Sequence, residues 1–537
     1  MIMDSEYQSN QGVVEEDSER IEPLSQLFDE NGISPVADGD VIVLATPVGR
    51  TKKYLVVPDG LKISPQGNER FDSYEHLSIG DNITLTLSTE QITASQYPFT
   101  LPNGLQLTYG QIVALGGDFY GIPSKPISDG DTPEARVQRF QQAFATLANN
   151  AGAVNEVPKI FDILQTEITA VDNAIRDGQE PHVAYDQLGN SLSYKWGRVT
   201  WGRYLFLANT NWDHFGQHAV SAYIAGHTAA LAQAVAAGRS RDEKGLELAY
   251  AMNAFADHYL SDLFSAGHLR TPRKELYDSA IGVSTIANLC AKWMHDEDCE
   301  FGLNVQRTDG QPDTWRAYGD GRYFDTIDVG NRNRVDFTVQ NSADEIWEAF
   351  SSGIAPPATE YAALDSIPDL FNAQTDPNRW NYAPLFIWDK SSKKIKYRTN
   401  VNDLNSFEWS DVITFASVYA LKRTYRPNKP SGYLEAPTAT PTIASWQSGG
   451  SIPATWVGHS KVRYCYSYTN GLNESYTGPW SDFAPLDGQY YPTLVVPTDP
   501  SGVATGRNVF RQFDTGFTAY VGSIEDNVST TFVDDQL

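Results

Sequence analysis

The chain has 537 residues, so a count of three to four domains is expected at roughly 150 residues per domain. Hydrophobic residues make up 41% and charged residues 20% of the sequence, which excludes collagen-like and wholly disordered proteins. The net charge of −27 disfavours nucleic acid as a partner and predicts no polybasic membrane patch. Either partner remains compatible with a site whose local charge is reversed by bound metal.

The cysteine content and the N-terminal sequence indicate the cellular compartment in which the protein is expected. The three cysteines, Cys290, Cys299 and Cys465, are too few and too scattered for a disulfide framework. The N-terminal residues lack the basic and apolar segments of a secretory signal, and no apolar run is long enough to span a bilayer. We therefore expect a protein that is cytoplasmic or exported by a signal-independent route, as a secretion-system or injection-type effector.

The first part of the chain divides into three regions by pattern. Residues 1–36 are acidic and polar, which is typical of a disordered or partner-ordered arm. Residues 37–104 contain short β-branched runs (VIVLATPVG, KYLVVPDG, NITLTLS) between turn residues, and these predict a small β domain. Residues 105–424 carry apolar side chains at three- and four-residue spacing in five long runs, which predicts a mainly α-helical domain.

The C-terminal part has a different pattern. Residues 425–442 are rich in proline and predict a linker. In residues 443–537, apolar or aromatic side chains recur at every second position, and Asn470-Gly471 is a strong hairpin turn. We therefore expect a β-sandwich, which loosely resembles fibronectin type III modules by its strand pattern. The predicted fold is thus multidomain, with a helical domain between a small β domain and a β-sandwich.

Histidine is scarce in this sequence and is concentrated in the helical region. Six of the nine histidines fall in one stretch: His214, His218, His227, His258, His268 and His295. His258 and Asp262 are four residues apart, so on a helix they project from one face and can close on one ion. We expect that helix to end near Ser265, which returns His268 to the same region.

Further acidic side chains accompany these histidines. Asp213 lies fourteen residues before His227, Asp298 lies three residues after His295, and Asp118 follows an apolar segment and a glycine pair. Imidazole and carboxylate groups without a suitable cysteine set suit zinc or a similar cation. At about three protein ligands per ion, seven residues are enough for two ions. These seven are Asp213, His227, His258, Asp262, His268, His295 and Asp298.

At these residues the sequence resembles the zinc-dependent phospholipase C / P1 nuclease superfamily. The family signature is His-Tyr-x-x-Asp followed six residues later by His, which His258-Tyr259, Asp262 and His268 match. The resemblance covers about residues 109–298 and includes the spacing from Asp213 to His227. It implies that one zinc is held by Asp213, His227, His258 and Asp262. It also implies a second zinc on His268, His295 and a nearby carboxylate.

The sequence departs from the family pattern at two places. Family enzymes carry the last carboxylate four residues after the last histidine, where this chain has Cys299, so Asp298 is assigned instead with Glu297 and Asp296 as alternatives. The family also builds a third zinc site from its processed N-terminal amine and a nearby histidine. Here the N-terminus is distant and acidic, and Asp118 and His214 are the candidates for a rebuilt third site.

Each of these residues also has an ordinary structural explanation. A lone His258/Asp262 pair is more often a helix-face hydrogen bond, and Asp213 alone could be a helix N-cap. His218 lies on the opposite helix face from His227, and a structural role is expected for it. No role is assigned to the remaining histidines, His76, His182 and His459. The matched spacings taken together favour a site with more than one metal ion.

The resemblance implies hydrolysis of a phosphoric ester by metal-activated water. Asp213 would bridge the metals or orient the water as a general base. Arg270 and Arg273 directly follow His268 and could supply guanidinium groups for the phosphate, although charge balance beside the acidic residues explains them equally well.

Three hypotheses on the substrate stay open. The first is a phospholipase C-like enzyme, in which Trp201, Trp212 and Trp293 could form a cage for a quaternary ammonium head group unless they belong to the core. It implies a phospholipid substrate and peripheral membrane contact at most. The second is a P1-type single-strand nuclease or nucleotidase, which the net charge disfavours. The third is a binding or delivery component with a vestigial metal-stabilised domain, docking through its β modules or acidic arm.

Overall fold

The computed structural model describes residues 73–535 except 89, 189–190, 280–283, 312, 376–380, 412–414, 449–453, 472 and 515–517. The predicted acidic arm and most of the predicted small β domain, including VIVLATPVG and KYLVVPDG, lie outside the described residues. Within the described ranges, no helix has both the length and the apolar character that a bilayer span requires.

Helices dominate the central region. In chain order they are α1 (Ser73–Asp81), α2 (Tyr109–Leu115), α3 (Pro133–Ala148), α4 (Ala153–Asp177), α5 (His182–Leu188), α6 (Ser191–Val199), α7 (Arg203–Asn209), α8 (Gly216–Ser240), α9 (Glu243–Asp262), α10 (Ala266–Arg270), α11 (Arg273–Asp278), α12 (Ser284–Phe301), α13 (Val329–Ser352), α14 (Ala362–Ser366), α15 (Leu370–Thr375) and α16 (Phe415–Thr424). The five long runs with helical spacing form α3, α4, α8, α9 and α12, so these predictions are confirmed.

The centre of the helical region is the pair α8 and α9. Only two residues join them, a connection typical of antiparallel neighbouring helices. The last fourteen residues of α9, from Ala249 to Asp262, are all buried, because α2, α8 and α13 surround this helix. A helix buried on every side leaves its polar residues without solvent, so each of them needs a partner inside the protein.

Short antiparallel strands are attached to the helices. They are β1 (Thr84–Leu87), β2 (Glu90–Thr93), β3 (Phe99–Thr100), β4 (Gln106–Leu107), β5 (Leu303–Gln306), β6 (Thr314–Ala317), β7 (Phe386–Asp389), β8 (Lys394–Arg398) and β9 (Trp409–Ser410). The NITLTLS run contains β1, as expected. Leu85 and Phe99 belong to the same hydrophobic core as the central helices, so the described part of the predicted small β domain has no separate core.

The C-terminal region consists of two antiparallel sheets. Their strands are β10 (Thr442–Ser448), β11 (Lys461–Asn470), β12 (Asn473–Glu474), β13 (Ala484–Pro485), β14 (Gln489–Val495), β15 (Gly506–Phe513), β16 (Ala519–Ile524) and β17 (Thr531–Val533). One sheet has the order β10-β14-β17, and the other has β12-β11-β15-β16 with β13 on β11. Asn470 pairs with Asn473 at the predicted hairpin. The multidomain layout of helices followed by β-sheets is therefore confirmed, whereas the likeness to fibronectin type III stays a prediction.

The C-terminal sheets are packed against the helical region. On β11, Tyr464 and Tyr466 belong to the core shared by the two sheets, and the alternate Arg463 is buried on the other face. Arg463 donates a hydrogen bond to the backbone of Ile175 at the end of α4, which explains why both faces of β11 are buried. The predicted linker is packed as well, since Leu434 lies in the sheet core.

Candidate metal centre

The end of α9 brings three of the predicted ligands together. His258 and Asp262 lie one helical turn apart, with His258 Nε2 3.7 Å from Asp262 Oδ2. The helix ends at Asp262, and α10 begins at Ala266, so the chain turns back at once. This turn brings His268 Nδ1 to 3.0 Å from Asp262 Oδ1, as the sequence spacing predicts.

Asp262 is surrounded by imidazoles at ion-pair distances. Its Oδ2 lies 2.9 Å from His214 Nδ1, and its Oδ1 lies 3.0 Å from His268 Nδ1. Among the described residues, neither buried oxygen has a partner in full hydrogen-bond geometry. A buried carboxylate is costly unless a positive group compensates its charge. Protonated imidazoles or a cation held between the rings and the carboxylate both provide that charge.

The His/Asp cluster consists of eight side chains in three groups, and within each group the ligand atoms lie within 4.8 Å of one another. The groups are His76, Asp118 and His258; His214, His258 and Asp262; and His268, His295 and Asp320. Seven of the eight side chains are buried, and Asp118 is half-buried. Buried imidazoles and carboxylates in this arrangement can hold a metal ion.

Hydrogen bonds orient three of these histidines. His258 Nδ1 donates to the carbonyl of Val113 (2.9 Å), and His76 Nδ1 lies 2.9 Å from Ser261 Oγ. His295 Nδ1 lies 3.3 Å from Asp296 Oδ1. In each case the second ring nitrogen, Nε2, is directed into the cluster. Metal-ligating histidines are usually held in this way, because the bond from one nitrogen fixes which nitrogen presents its lone pair.

Asp320 and His76 belong to the cluster but were not assigned from the sequence. Asp320 Oδ2 lies 3.1 Å from His295 Nε2, and Asp320 Oδ1 accepts from Ser265 Oγ at 2.6 Å. Asp320 thus places a carboxylate beside His295, where this chain has Cys299 in place of the carboxylate of the family pattern. The signal available in the sequence was its position in a Gly-Asp-Gly triplet, which resembles the Gly-Gly-Asp of Asp118. His76 lies in the short helix α1, far in sequence from the other histidines of the cluster, and the sequence gave no such signal for it.

Glycine lets both aspartates approach the histidines. A Cβ atom at Gly117 would lie 2.5 Å from the His258 ring, and Gly117 has a positive φ of 66°. A Cβ atom at Gly319 would lie 1.9 Å from Cys299 Sγ. Neither position tolerates a side chain without displacement of its neighbour, so glycine is required for these close approaches.

In the cluster, burial and neighbouring charges shift the pKa values of the aspartates and histidines. Burial lowers the pKa of His258 well below its usual range, and the neighbouring His76 lowers it further. Burial would raise the pKa of Asp262, but His214 and His268 outweigh it and hold that pKa well below its usual value. These two shifts favour a neutral His258 and an ionised Asp262, which are the forms that ligate metals. Against the effect of burial, neighbouring acidic groups instead raise the pKa of His214, beside Asp262, and of His295, beside Cys299 and Asp320.

His227 is not part of the cluster. Its Nδ1 lies 2.6 Å from Asn253 Oδ1, and its Nε2 lies 3.0 Å from Glu345 Oε2. Because side-chain oxygens engage both ring nitrogens, neither nitrogen has a lone pair free for an ion. We therefore remove His227 from the ligand set that the family resemblance implies.

Asp213 also has other partners. Its two carboxylate oxygens accept hydrogen bonds from the backbone amides of Ile127 and Ser128, which fixes that loop beside the start of α8. Burial raises the pKa of Asp213, although these hydrogen bonds oppose the rise. The structure does not place Asp213 with any of the three groups, so neither its metal-bridging role nor its role as a general base is retained.

Asp298 and the two arginines form structural pairs. Arg270 makes a two-point ion pair with Asp298, with nitrogen–oxygen distances of 2.9 Å and 2.6 Å, and both residues are buried. The alternative ligand Glu297 is paired in the same way with buried Arg398. A carboxylate held by a guanidinium fork is not available to a metal ion, so Asp298 and Glu297 are also removed from the ligand set.

Arg273 is held by amide and backbone oxygens of neighbouring segments. It is buried, and it donates to Asn211 Oδ1 (2.9 Å), Asn288 Oδ1 (2.7 Å) and the backbone of Asn209. These bonds tie α11 to the end of α7 and to α12. Neither Arg270 nor Arg273 is therefore placed to contact a phosphate, and the charge-balance alternative describes Arg270 better.

The candidates for a rebuilt third site fall in two neighbouring groups that share His258. Asp118 groups with His76 and His258, whereas His214 groups with His258 and Asp262.

No known protein-family model and no curated protein matches this sequence. The resemblance to the phospholipase C / P1 nuclease superfamily consequently rests on the motif residues alone.

Proposed function

We propose that this chain is a zinc-dependent phosphoric ester hydrolase of the phospholipase C-like kind. The observation that carries the proposal is the buried Asp262 carboxylate, which has imidazole nitrogens at 2.9 Å and 3.0 Å but no partner in full hydrogen-bond geometry among the described residues. The donor set of imidazole nitrogens and carboxylate oxygens suits zinc better than the harder calcium or magnesium ions.

Two ions are proposed, one on the second and one on the third of the cluster's three groups, since these two share no residue. One ion would be held by His214, His258 and Asp262, and the other by His268, His295 and Asp320. His258 belongs also to the first group, so a third ion at His76 and Asp118 would compete for the same imidazole. When bound, two close zinc ions acidify a water molecule and stabilise charge on phosphoryl oxygens.

Asp118 is the proposed residue for orienting the attacking water. It is the member of the cluster that is only half-buried, so its carboxylate can meet both solvent and substrate. A carboxylate at that position can accept a hydrogen bond from the water and later take its proton, which is the role of a general base. Asp118 replaces Asp213 in this role.

The preference for a lipid substrate is supported by charge. A net charge of −27 repels a long polyanionic strand that must run across the surface, whereas a phospholipid head group meets only the surface around the site. A cage of three tryptophans for the head group is not supported. Trp212 packs against Tyr277 and lies beneath Lys274, and Trp293 stacks on Tyr425.

The test combines elemental analysis with activity assays. We expect close to two zinc ions per chain in protein purified without chelator. We also expect hydrolysis of a choline phospholipid that stops on chelation and returns with zinc. Metal-free protein that is fully active would contradict the proposal. Chelator-sensitive cleavage of single-stranded DNA with no lipid hydrolysis would reassign the substrate to nucleic acid, and bound zinc without any hydrolysis would favour a binding or delivery role.

A matched pair of variants controls for folding. His258→Asn removes a histidine of the cluster, and His227→Asn removes a buried histidine of the neighbouring helix α8 that lies outside it. We expect His258→Asn to lose bound zinc and activity and His227→Asn to keep its zinc. Equal loss of zinc in both variants would show that the metal site is not confined to the cluster.

A further inference from the structure

The α6–α7 connection differs in charge from the rest of the chain. No acidic residue occurs between Asp186 and Asp213, whereas Lys195, Arg198 and Arg203 fall in that stretch. We call residues 195–206 (KWGRVTWGRYLF) the basic aromatic segment. Lys195 and Arg198 are exposed, whereas Arg203 is paired with Glu156, so two basic side chains of this segment face solvent in a chain with a net charge of −27.

The same segment exposes apolar side chains. Trp201 is 65% exposed and Leu205 is 38% exposed, and Lys195 and Arg198 are exposed beside them. A Cβ atom at Gly197 would lie 3.2 Å from the Leu205 side chain, so α6 and α7 are in contact and present one surface. An exposed tryptophan is unusual for a protein in water but common where a protein meets the head groups of a bilayer.

The segment is anchored firmly beneath this surface. Trp196 is buried and donates to the carbonyl of Ile160 (3.3 Å), and Arg203 donates to the carbonyl of Phe119 (2.6 Å) and pairs with Glu156. The exposed indole of Trp201 is therefore held on a fixed support, with a positive φ of 53° that a tryptophan seldom adopts. A fixed indole loses little conformational freedom when it enters an interface.

This anchoring also connects the surface with the metal centre. Phe119 packs against both Trp196 and Tyr204, with ring centroids 5.3 Å and 5.2 Å apart. Phe119 directly follows Asp118, the half-buried member of the His/Asp cluster. A surface that is docked through the basic aromatic segment would thus lie next to the part of the cluster that reaches solvent.

We propose that the basic aromatic segment docks the protein on an anionic phospholipid surface, with Trp201 and Leu205 in the head-group layer and Lys195 and Arg198 against acidic lipid. This inference deepens the proposed function and rests on it for its purpose, because it places the lipid beside the cluster. A nucleic acid is disfavoured as the occupant, because a single exposed aromatic ring and a short basic stretch provide neither a row of stacking platforms nor a long cationic track.

The test measures partitioning of the zinc-loaded full chain onto sedimenting vesicles in physiological salt. One set of vesicles is phosphatidylcholine alone, and the other contains about 30% phosphatidylserine, which makes the surface strongly negative. We expect clear preference for the acidic vesicles. Lys195→Gln with Arg198→Gln should weaken that binding by about fivefold for each charge removed. Trp201→Asn should weaken binding to both kinds of vesicle by about tenfold, because it removes buried apolar area.

The variants are chosen so that loss of binding cannot be confused with misfolding. Asparagine tolerates the left-handed backbone at position 201, and positions 195 and 198 are exposed. Ile354→Ser, which removes a 73% exposed apolar side chain at the end of α13, is the matched control and should bind like the unchanged protein. Unchanged binding in both segment variants, or no preference of the original protein for acidic vesicles, would overturn the proposal.

Two further readouts separate this inference from the proposed function. Protein that contains no zinc as purified and hydrolyses no phospholipid, but still binds acidic vesicles through the segment, would contradict the zinc hydrolase and support the docking surface. Protein with full zinc that ignores vesicles would overturn the docking surface alone. If a single-stranded oligonucleotide binds more tightly than acidic vesicles and the segment variants lose that binding, nucleic acid is the occupant and the lipid proposal is overturned.

Discussion

Two buried polar regions on the same helix, α9, differ in how their hydrogen bonds are satisfied. The first is the His/Asp cluster around Asp262. The second, which we call the Asp257 network, contains Tyr109, Asn253, Asp257 and Ser342 together with His227 and Glu345. In the network, Asp257 accepts from Tyr109 (2.5 Å) and Ser342 (2.7 Å), and none of the six side chains has a buried polar atom without a partner.

The contrast between the two regions indicates which one needs a cation. Asp257 and Asp262 are both buried on α9, but Asp262 has imidazoles around it and no partner in full hydrogen-bond geometry among the described residues. A satisfied network stabilises helix packing without any ligand. A buried carboxylate outside such a network needs a positive group to compensate it, and either protonated imidazoles or a metal ion can do so. The presence of histidine and aspartate on a buried helix therefore does not by itself distinguish the two regions, whereas their hydrogen-bond partners do.

The largest expected effect is that of metal removal. Chelation should lower the free energy of unfolding by at least about 5 kcal/mol, since a tightly bound zinc ion contributes on the order of 10 kcal/mol to a folded site. Thermal unfolding followed by circular dichroism, with and without added zinc, measures the change. An identical unfolding transition with and without zinc would indicate that the cluster, like the Asp257 network, is stable without a metal ion.

The Arg270–Asp298 pair provides the next test. Arg270→Met leaves the buried Asp298 without its guanidinium partner, and we expect a loss of about 3–5 kcal/mol of stability with zinc content unchanged. Chemical denaturation and elemental analysis of the same preparation check both statements. Loss of zinc at unchanged stability would restore Asp298 to the ligand set and Arg270 to the active site.

A smaller effect is expected at His227. The substitution His227→Asn removes one partner of Glu345 and one partner of Asn253, which should cost about 1–3 kcal/mol. Bound zinc should stay at the level of the unchanged protein. Urea denaturation gives the stability change, and a fall in zinc content would mean that the Asp257 network and the cluster act as one site.

Much of the fold follows from local sequence patterns. The spacing of apolar residues predicts the long helices α3, α4, α8, α9 and α12, and Asn470-Gly471 predicts the β11–β12 hairpin. The boundaries between units were not predictable in the same way. Residues 73–104 and the proline-rich stretch look independent by composition, but they pack into cores formed by residues far along the chain.

The site was predictable where the ligands are close in sequence. His258, Asp262 and His268 come together because a helix end and a tight turn fix their positions. His76 and Asp320 come from segments whose approach depends on tertiary packing, so sequence spacing gives no information on them. Asp213 and His227 match a family spacing yet bind other groups, because spacing does not show which partner a buried side chain reaches.

The central claim is tested most directly by comparing the zinc content of Asp262→Asn and Asp257→Asn, measured by elemental analysis after purification without chelator. Both substitutions are nearly isosteric, remove one buried carboxylate from α9 and differ by five positions. The account predicts that Asp262→Asn loses at least one zinc ion per chain, whereas Asp257→Asn keeps the full amount with a modest loss of stability. Full zinc content in Asp262→Asn, or equal loss in both variants, would contradict it.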